Sequence, residues 1–88
     1  MFIILVYDVE AKRVAKALKI CRKYLFWVQN SVFEGDLTQK QLDDLQKELN
    51  QNLNPLEDGV VIYTWGSDRY HKRLIMGNQA DGPEVMII

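Results

Sequence analysis

The chain is poor in the residues that build metal clusters and triads: its 88 positions hold one cysteine and one histidine. Cys21, being alone, excludes an internal disulfide and a cysteine-based metal cluster, which fits a reducing compartment; its expected place is the core, as a small hydrophobe. His71 stands in a polar stretch with no cysteine or second histidine at ligand spacing, so it is expected on the surface and outside any metal site or triad. Long apolar runs are also lacking. The longest, residues 2–7, is far too short to span a bilayer, and no basic region precedes it and no small-residue cleavage site follows it. Neither a membrane segment nor a signal peptide is expected, and the expected compartment is the cytoplasm. Excess charge is lacking too: the net charge of −1 excludes coating of nucleic acid by bulk charge alone.

What is present fits one small α+β domain over residues 1–88, with no linker. A domain of this size buries only roughly 60 to 65% of its unfolded-chain surface, so joining a second copy is an easy route to stability. The charge that averages out overall is segregated along the chain. Residues 10–24 carry Lys12, Arg13, Lys16, Lys19, Arg22 and Lys23 against one acid, whereas residues 34–58 carry seven acids against Lys40 and Lys47. One helix is therefore basic and the other acidic.

Residues 2–7 are continuous, β-branched and aromatic, as in a central strand buried on both faces, and Asp8 closes them. From Val9 the period changes. Val14, Ala17 or Leu18, Cys21, and Tyr24 or Leu25 make one apolar helical stripe, while Lys12, Lys16, Lys19 and Lys23 line up on another side. Residues 26–37, rich in Val, Phe and Trp and broken by Gln29-Asn30-Ser31, predict two short strands joined by a tight turn or bulge. Thr38 with Gln41 is a capping-box signature, after which Leu42, Leu45, Leu49 and Leu53 stripe a second helix that Pro55 stops. Asp58-Gly59 signals a turn before a strand over 60–65. The order is strand, helix, strand, strand, helix, strand, the split βαβ pattern of a ferredoxin-like fold. The core is expected over about 1–66. In the remaining tail, 69–73 reads as polar and basic, 77–83 as a loop, and 85–88 as an apolar terminal strand that pairs with its own sheet or with a second protomer's.

Ligand sites gather beyond the carboxyl ends of strands, which makes Asp8 the leading candidate. A hard cation such as Mg²⁺ takes oxygen ligands, and one Asp from each of two protomers would suffice. The same position equally suits a helix N-cap. The basic ridge is either a phosphate-tracking surface or a merely solvated face. Tyr7, Phe33, Trp27 and Trp65 are expected in the core rather than as stacking platforms for bases. Ser31 has no base near it in the sequence, so a serine nucleophile is not indicated.

Three segments carry a resemblance: Ile4-Leu5-Val6-Tyr7-Asp8, Val28-Gln29-Asn30-Ser31-Val32-Phe33-Glu34-Gly35, and Glu57-Asp58-Gly59-Val60-Val61-Ile62-Tyr63. Together they resemble the CRISPR-associated protein of the second core type, the small adaptation protein that works beside the CRISPR integrase. The likeness spans roughly residues 1–65. It implies a ferredoxin-like homodimer whose paired first-strand aspartates, here Asp8, hold Mg²⁺ or Mn²⁺. It further implies metal-dependent cleavage of single-stranded RNA or double-stranded DNA, and a bridging role between integrase subunits during spacer acquisition. By residue match Tyr7 adjoins the metal aspartate, Arg13 is a basic residue near the cleft, and Ser31 and Phe33 shape it; with the ridge, the nucleic-acid contacts are Lys12, Arg13, Lys16 and Lys19. The sequence departs from the family pattern at Leu25, where a Gly often ends the helix, and at Trp27, where an Arg often stands. The other readings are a non-catalytic scaffold in which Asp8 is only a cap, a toxin-like ribonuclease, or a small-molecule-binding domain of the same fold.

Overall fold

Apolar alternation sets the sheet, and helical stripes cover one side of it. In the computed structural model, which describes residues 1–66 and 71–77, the order is β1 (Phe2–Asp8), α1 (Ala11–Tyr24), β2 (Phe26–Gln29), β3 (Val32–Asp36), α2 (Gln39–Asn52), β4 (Gly59–Trp65) and β5 (His71–Gly77). The strands form one antiparallel sheet in the order β2-β3-β1-β4-β5, so the most apolar strand lies in the middle, as a strand buried on both faces must. This is the expected ferredoxin-like arrangement with an added strand.

Register separates two faces. Ile3, Leu5 and Tyr7 of β1, Phe33 of β3, and Val60 and Ile62 of β4 join Ala17, Ile20 and Cys21 of α1 and Leu42, Leu45 and Leu49 of α2 in one buried core. Each fully buried Leu, Ile or Phe of this set contributes roughly 1.5–3 kcal/mol over its exposed state. The opposite face carries Phe2, Ile4 and Val6 of β1 beside Trp65, Tyr63 and Val61 of β4, with Ile75 at the margin. Phe2 and Trp65 stack with centroids 5.9 Å apart while remaining exposed.

The second helix starts as its sequence dictates: Thr38 and Gln41 close a reciprocal capping box, with Thr38 Oγ1 accepting from Gln41 N at 3.1 Å and Gln41 Oε1 from Thr38 N at 2.9 Å. Such a cap stabilises a helix by about 1 kcal/mol. The two helices are tied through Glu48, which accepts from both Lys23 and Tyr24. That contact pushes the Tyr24 hydroxyl up to about 12 and holds the Glu48 carboxyl below its ordinary range.

Three expectations need correcting. Val14 is exposed, because the buried stripe of α1 runs through Ala17, Ile20 and Cys21 instead. Trp27 and Trp65, both expected in the core, are exposed: Trp27 because β2 is a four-residue edge strand among the described residues, and Trp65 because it lies at the end of β4 on the face away from the helices. The added strand is His71–Gly77, pairing with β4 of its own chain, where 69–73 read as a polar stretch. Leu74 and Met76 pack on the core from alternate positions, a pattern too short to stand out beside Lys72 and Arg73. The expected terminal strand at 85–88 lies outside the described residues. Among those residues, no helix is long and apolar enough to cross a membrane.

Candidate functional site

The end of β1 gathers most of the chemistry-bearing residues. Asp8 alternates with Phe2, Ile4 and Val6, so its carboxylate belongs to the face away from the helices. Its register partner on β4 is Gly59, whose own partner on β5 is Gly77. Two neighbouring positions without side chains leave Asp8 exposed. Gly77 is held at φ 72°, and a Cβ there would overlap the carbonyl oxygen of Asp58, so only glycine fits at position 77.

On the other flank of Asp8 sits the β2–β3 turn. Asn30 adopts φ 44°, a left-handed conformation that Asn tolerates and that two-residue hairpins require. The Ser31 carbonyl accepts from Tyr7 N at 3.2 Å, which seats the turn against the end of β1. Ser31 therefore lies at the same end of the sheet as Asp8. Tyr7 and Phe33 do not share its face: both are buried under the helices, with ring centroids 5.7 Å apart, and burial raises the Tyr7 hydroxyl, with Cys21 adding to the effect. They bear on Asp8 from beneath, through the strand, and do not line an open cleft.

Asp8 is not the helix cap. The N-cap of α1 is Glu10, whose side chain makes no capping bond. The carboxylate that does the work comes from the start of β4: Asp58, 1% exposed, accepts from Glu10 N at 2.9 Å, Asn54 N at 2.8 Å, Arg13 Nε at 2.5 Å and Arg13 Nη2 at 3.1 Å. The Arg13 guanidinium, helped by the two amides, holds the Asp58 carboxyl down to about 2. Glu57 completes the cluster, accepting from Arg13 Nη2 at 2.8 Å, and its carboxyl is likewise lowered, first by Arg13 and then by Lys12. Arg13, expected at a nucleic-acid cleft, is thus engaged by two acids, with only 17% of its side chain exposed.

This cluster was not foreseen, although the sequence held a signal for it. Arg13 sits in the first turn of α1, where a cation opposes the helix dipole, and that turn has no acid and no Ser, Thr or Asn cap. Such a start calls for an acid from elsewhere, and Glu57-Asp58 opens the strand that runs antiparallel to β1.

The lysine ridge forms as its spacing predicts. Lys12, Lys16, Lys19 and Lys23 are all exposed on α1. Lys12 lies 3.8 Å from Glu57 Oε1 and Lys23 is bound to Glu48, whereas among the described residues Lys16 and Lys19 enter no ion pair. Also among the described residues, no three metal-ligating side chains come together. A hard cation accepts one or two carboxylates completed by water, and Asp8 offers one exposed carboxylate per chain. An ion at Asp8 fits when a second copy supplies its own.

Comparison with known proteins gives the family. The family described as "CRISPR associated protein Cas2" matches residues 1–73. A protein of Dictyoglomus turgidum named CRISPR-associated endoribonuclease Cas2 is 38% identical over 87 residues, 99% of this chain and 100% of its own length. A protein of the same name from Thermotoga maritima is 49% identical over 69 residues, 78% of this chain and 79% of that one. A crystal structure titled "Crystal structure of cas2" superposes with a TM-score of 0.69 at 35% identity, covering 100% of this chain and 98% of the other. The chain belongs to the Cas2 family of CRISPR-associated proteins.

Proposed function

We propose that the protein is a homodimeric nuclease of CRISPR adaptation that uses Mg²⁺ or Mn²⁺ held between the Asp8 carboxylates of two protomers. It binds double-stranded DNA along the lysine ridges of α1, with single-stranded RNA as a second substrate, and docks on the CRISPR integrase. The observation that carries this reading is that, among the described residues, the Asp8 side chain has no hydrogen-bond or ion-pair partner: Asp58 caps α1, while Asp8 stands exposed beside two glycines. That arrangement weakens the scaffold alternative, which needed Asp8 as a cap. The exposed apolar side chains Phe2, Trp65 and Ile75 on the face away from the helices support association with a second copy, since a small domain gains by covering them. Relatives named as endoribonucleases support the reaction class.

A bound divalent ion would polarise the phosphodiester and lower the pKa of an attacking water. The residues of this chain supply the rest. Asp8 provides the oxygen ligand, the lack of side chains at Gly59 and Gly77 leaves that carboxylate uncovered, and the Asp58–Arg13 cluster fixes where β1 turns into α1. Lys16 and Lys19 draw the phosphate backbone to the helix side without reading its sequence.

The direct test is cleavage of RNA and duplex DNA with Mg²⁺, with Mn²⁺ and after chelation, alongside sedimentation to establish the dimer. Activity is expected only with a metal and only in the dimer; undiminished cutting in excess EDTA would remove the metal from the reaction. Independently, reversing charge with Lys16→Glu and Lys19→Glu is expected to weaken DNA binding regardless of sequence and to lower the slope of log K against log salt by roughly four, near one for each of the two lysines on each protomer. An unchanged slope would place the binding surface off this ridge.

A further inference from the structure

Trp27 shares a cross-strand row with Phe33, Leu5 and Ile62, on the side of the sheet that faces the helices. Those three are completely buried, yet Trp27, at the outer edge, is 51% exposed. Its ring is not loose. The indole N–H donates to the Asn30 carbonyl at 2.8 Å, so its polar atom is satisfied and the ring is oriented by the β2–β3 turn. What remains on offer is an aromatic face.

The surroundings of that face are cationic. The Arg22 guanidinium lies 6.0 Å from the Trp27 ring centroid, within reach of a cation–π contact. One turn back along α1, Lys19 and Arg22 border a shallow groove floored by Ala15 and Leu18. Lys16, exposed and without an ion pair among the described residues, continues the positive line. An acidic peptide would satisfy these cations but leave the ring unused, and an apolar side chain would satisfy the ring but strand the cations. A flat π system joined to phosphates uses both.

We propose that Trp27 is a stacking site for an unpaired base of single-stranded DNA or RNA, with Arg22 and Lys19 taking the flanking phosphates. The base must be unpaired because, within a duplex, both faces of each base are already covered by its neighbours. The proposal rests on the nucleic-acid reading above and extends it from the duplex backbone to frayed ends and single strands.

Three ligands separate the possibilities: oligo-dT of twelve nucleotides, oligo-U of the same length, and a relaxed, covalently closed duplex circle that has no ends. In the Trp65→Phe protein, Trp27 is the sole tryptophan, and its emission is expected to be quenched as the oligonucleotide saturates. Trp27→Ala is expected to bind the oligonucleotides about tenfold more weakly while holding the circle within twofold, and Trp27→Phe to recover most of the loss. A difference between dT and U identifies which nucleic acid the site prefers. Unchanged emission at saturation, or unchanged oligonucleotide affinity in Trp27→Ala, overturns the stacking site. So does an equal loss on the circle, which would make Trp27 a contact for the backbone or a support for the fold. A parent that binds the circle but no oligonucleotide sinks the stacking site alone, whereas one that binds neither sinks the ridge reading with it.

Discussion

Asp8→Ala is expected to reduce metal-dependent cleavage by at least about 10²-fold, the scale on which removal of one electrostatic group from a reacting centre acts. Stability should barely move, within about 0.5 kcal/mol, because an exposed side chain that caps nothing leaves no cavity and no orphaned donor. The same variant separates a metal ligand from a bystander without any assay of activity. An ion that binds only the folded dimer raises the melting temperature by mass action, worth about 2.7 kcal/mol at a hundredfold excess over its dissociation constant. The parent is expected to show that rise with Mg²⁺ or Mn²⁺, and Asp8→Ala to lose it. Asp8→Asn keeps the shape but offers a neutral oxygen in place of an anionic one, so it should behave like the alanine variant. Full cleavage in Asp8→Ala would remove Asp8 from the reaction and place the catalytic group elsewhere.

The contrast between Asp8 and Asp58 marks where the sequence was legible. A continuous apolar run placed β1, stripes at three-to-four spacing placed both helices, and alternation placed β4; the capping box at Thr38 and Gln41 needed only residues three apart. Asp8 could be picked out because it ends an uninterrupted apolar run. Asp58 looked like half of an Asp-Gly turn, since its partners Glu10 and Arg13 lie 48 and 45 residues away and meet it only when β4 docks beside β1. Arg13 was misplaced for the same reason: a cation on a helix gives no local hint of whether an acid from another strand awaits it. Tyr7 and Phe33 were assigned by resemblance to the shaping of a cleft, but strand parity puts them opposite Asp8. Trp27 was assigned to the core by residue type, and only the sheet order, which makes β2 an edge, reveals its exposure.

Asp58→Ala is expected to destabilise the fold by about 3 kcal/mol, the usual consequence of breaking a buried ion pair from one side. The loss has identifiable parts: Arg13 is left with Glu57 alone, the Glu10 amide loses its cap, and the Asn54 amide loses its acceptor. For a domain of this length such a loss lowers the melting temperature by roughly 12–24 °C. Acid should reproduce part of it. With its carboxyl held at about 2 against an ordinary 3.8, Asp58 binds protons less readily folded than unfolded, so its contribution is complete above pH 4 and disappears as pH falls towards 2. The gap corresponds to about 2 kcal/mol. Glu57 and Glu48 are also lowered and titrate in the same direction, so the telling quantity is the difference between parent and Asp58→Asn in urea unfolding at pH 7, 4 and 2.5. That difference should shrink below pH 4. A gap as wide at pH 2.5 as at pH 7 would mean that Asp58 acts through packing rather than charge, and that the start of α1 is held by something other than the Arg13 pair.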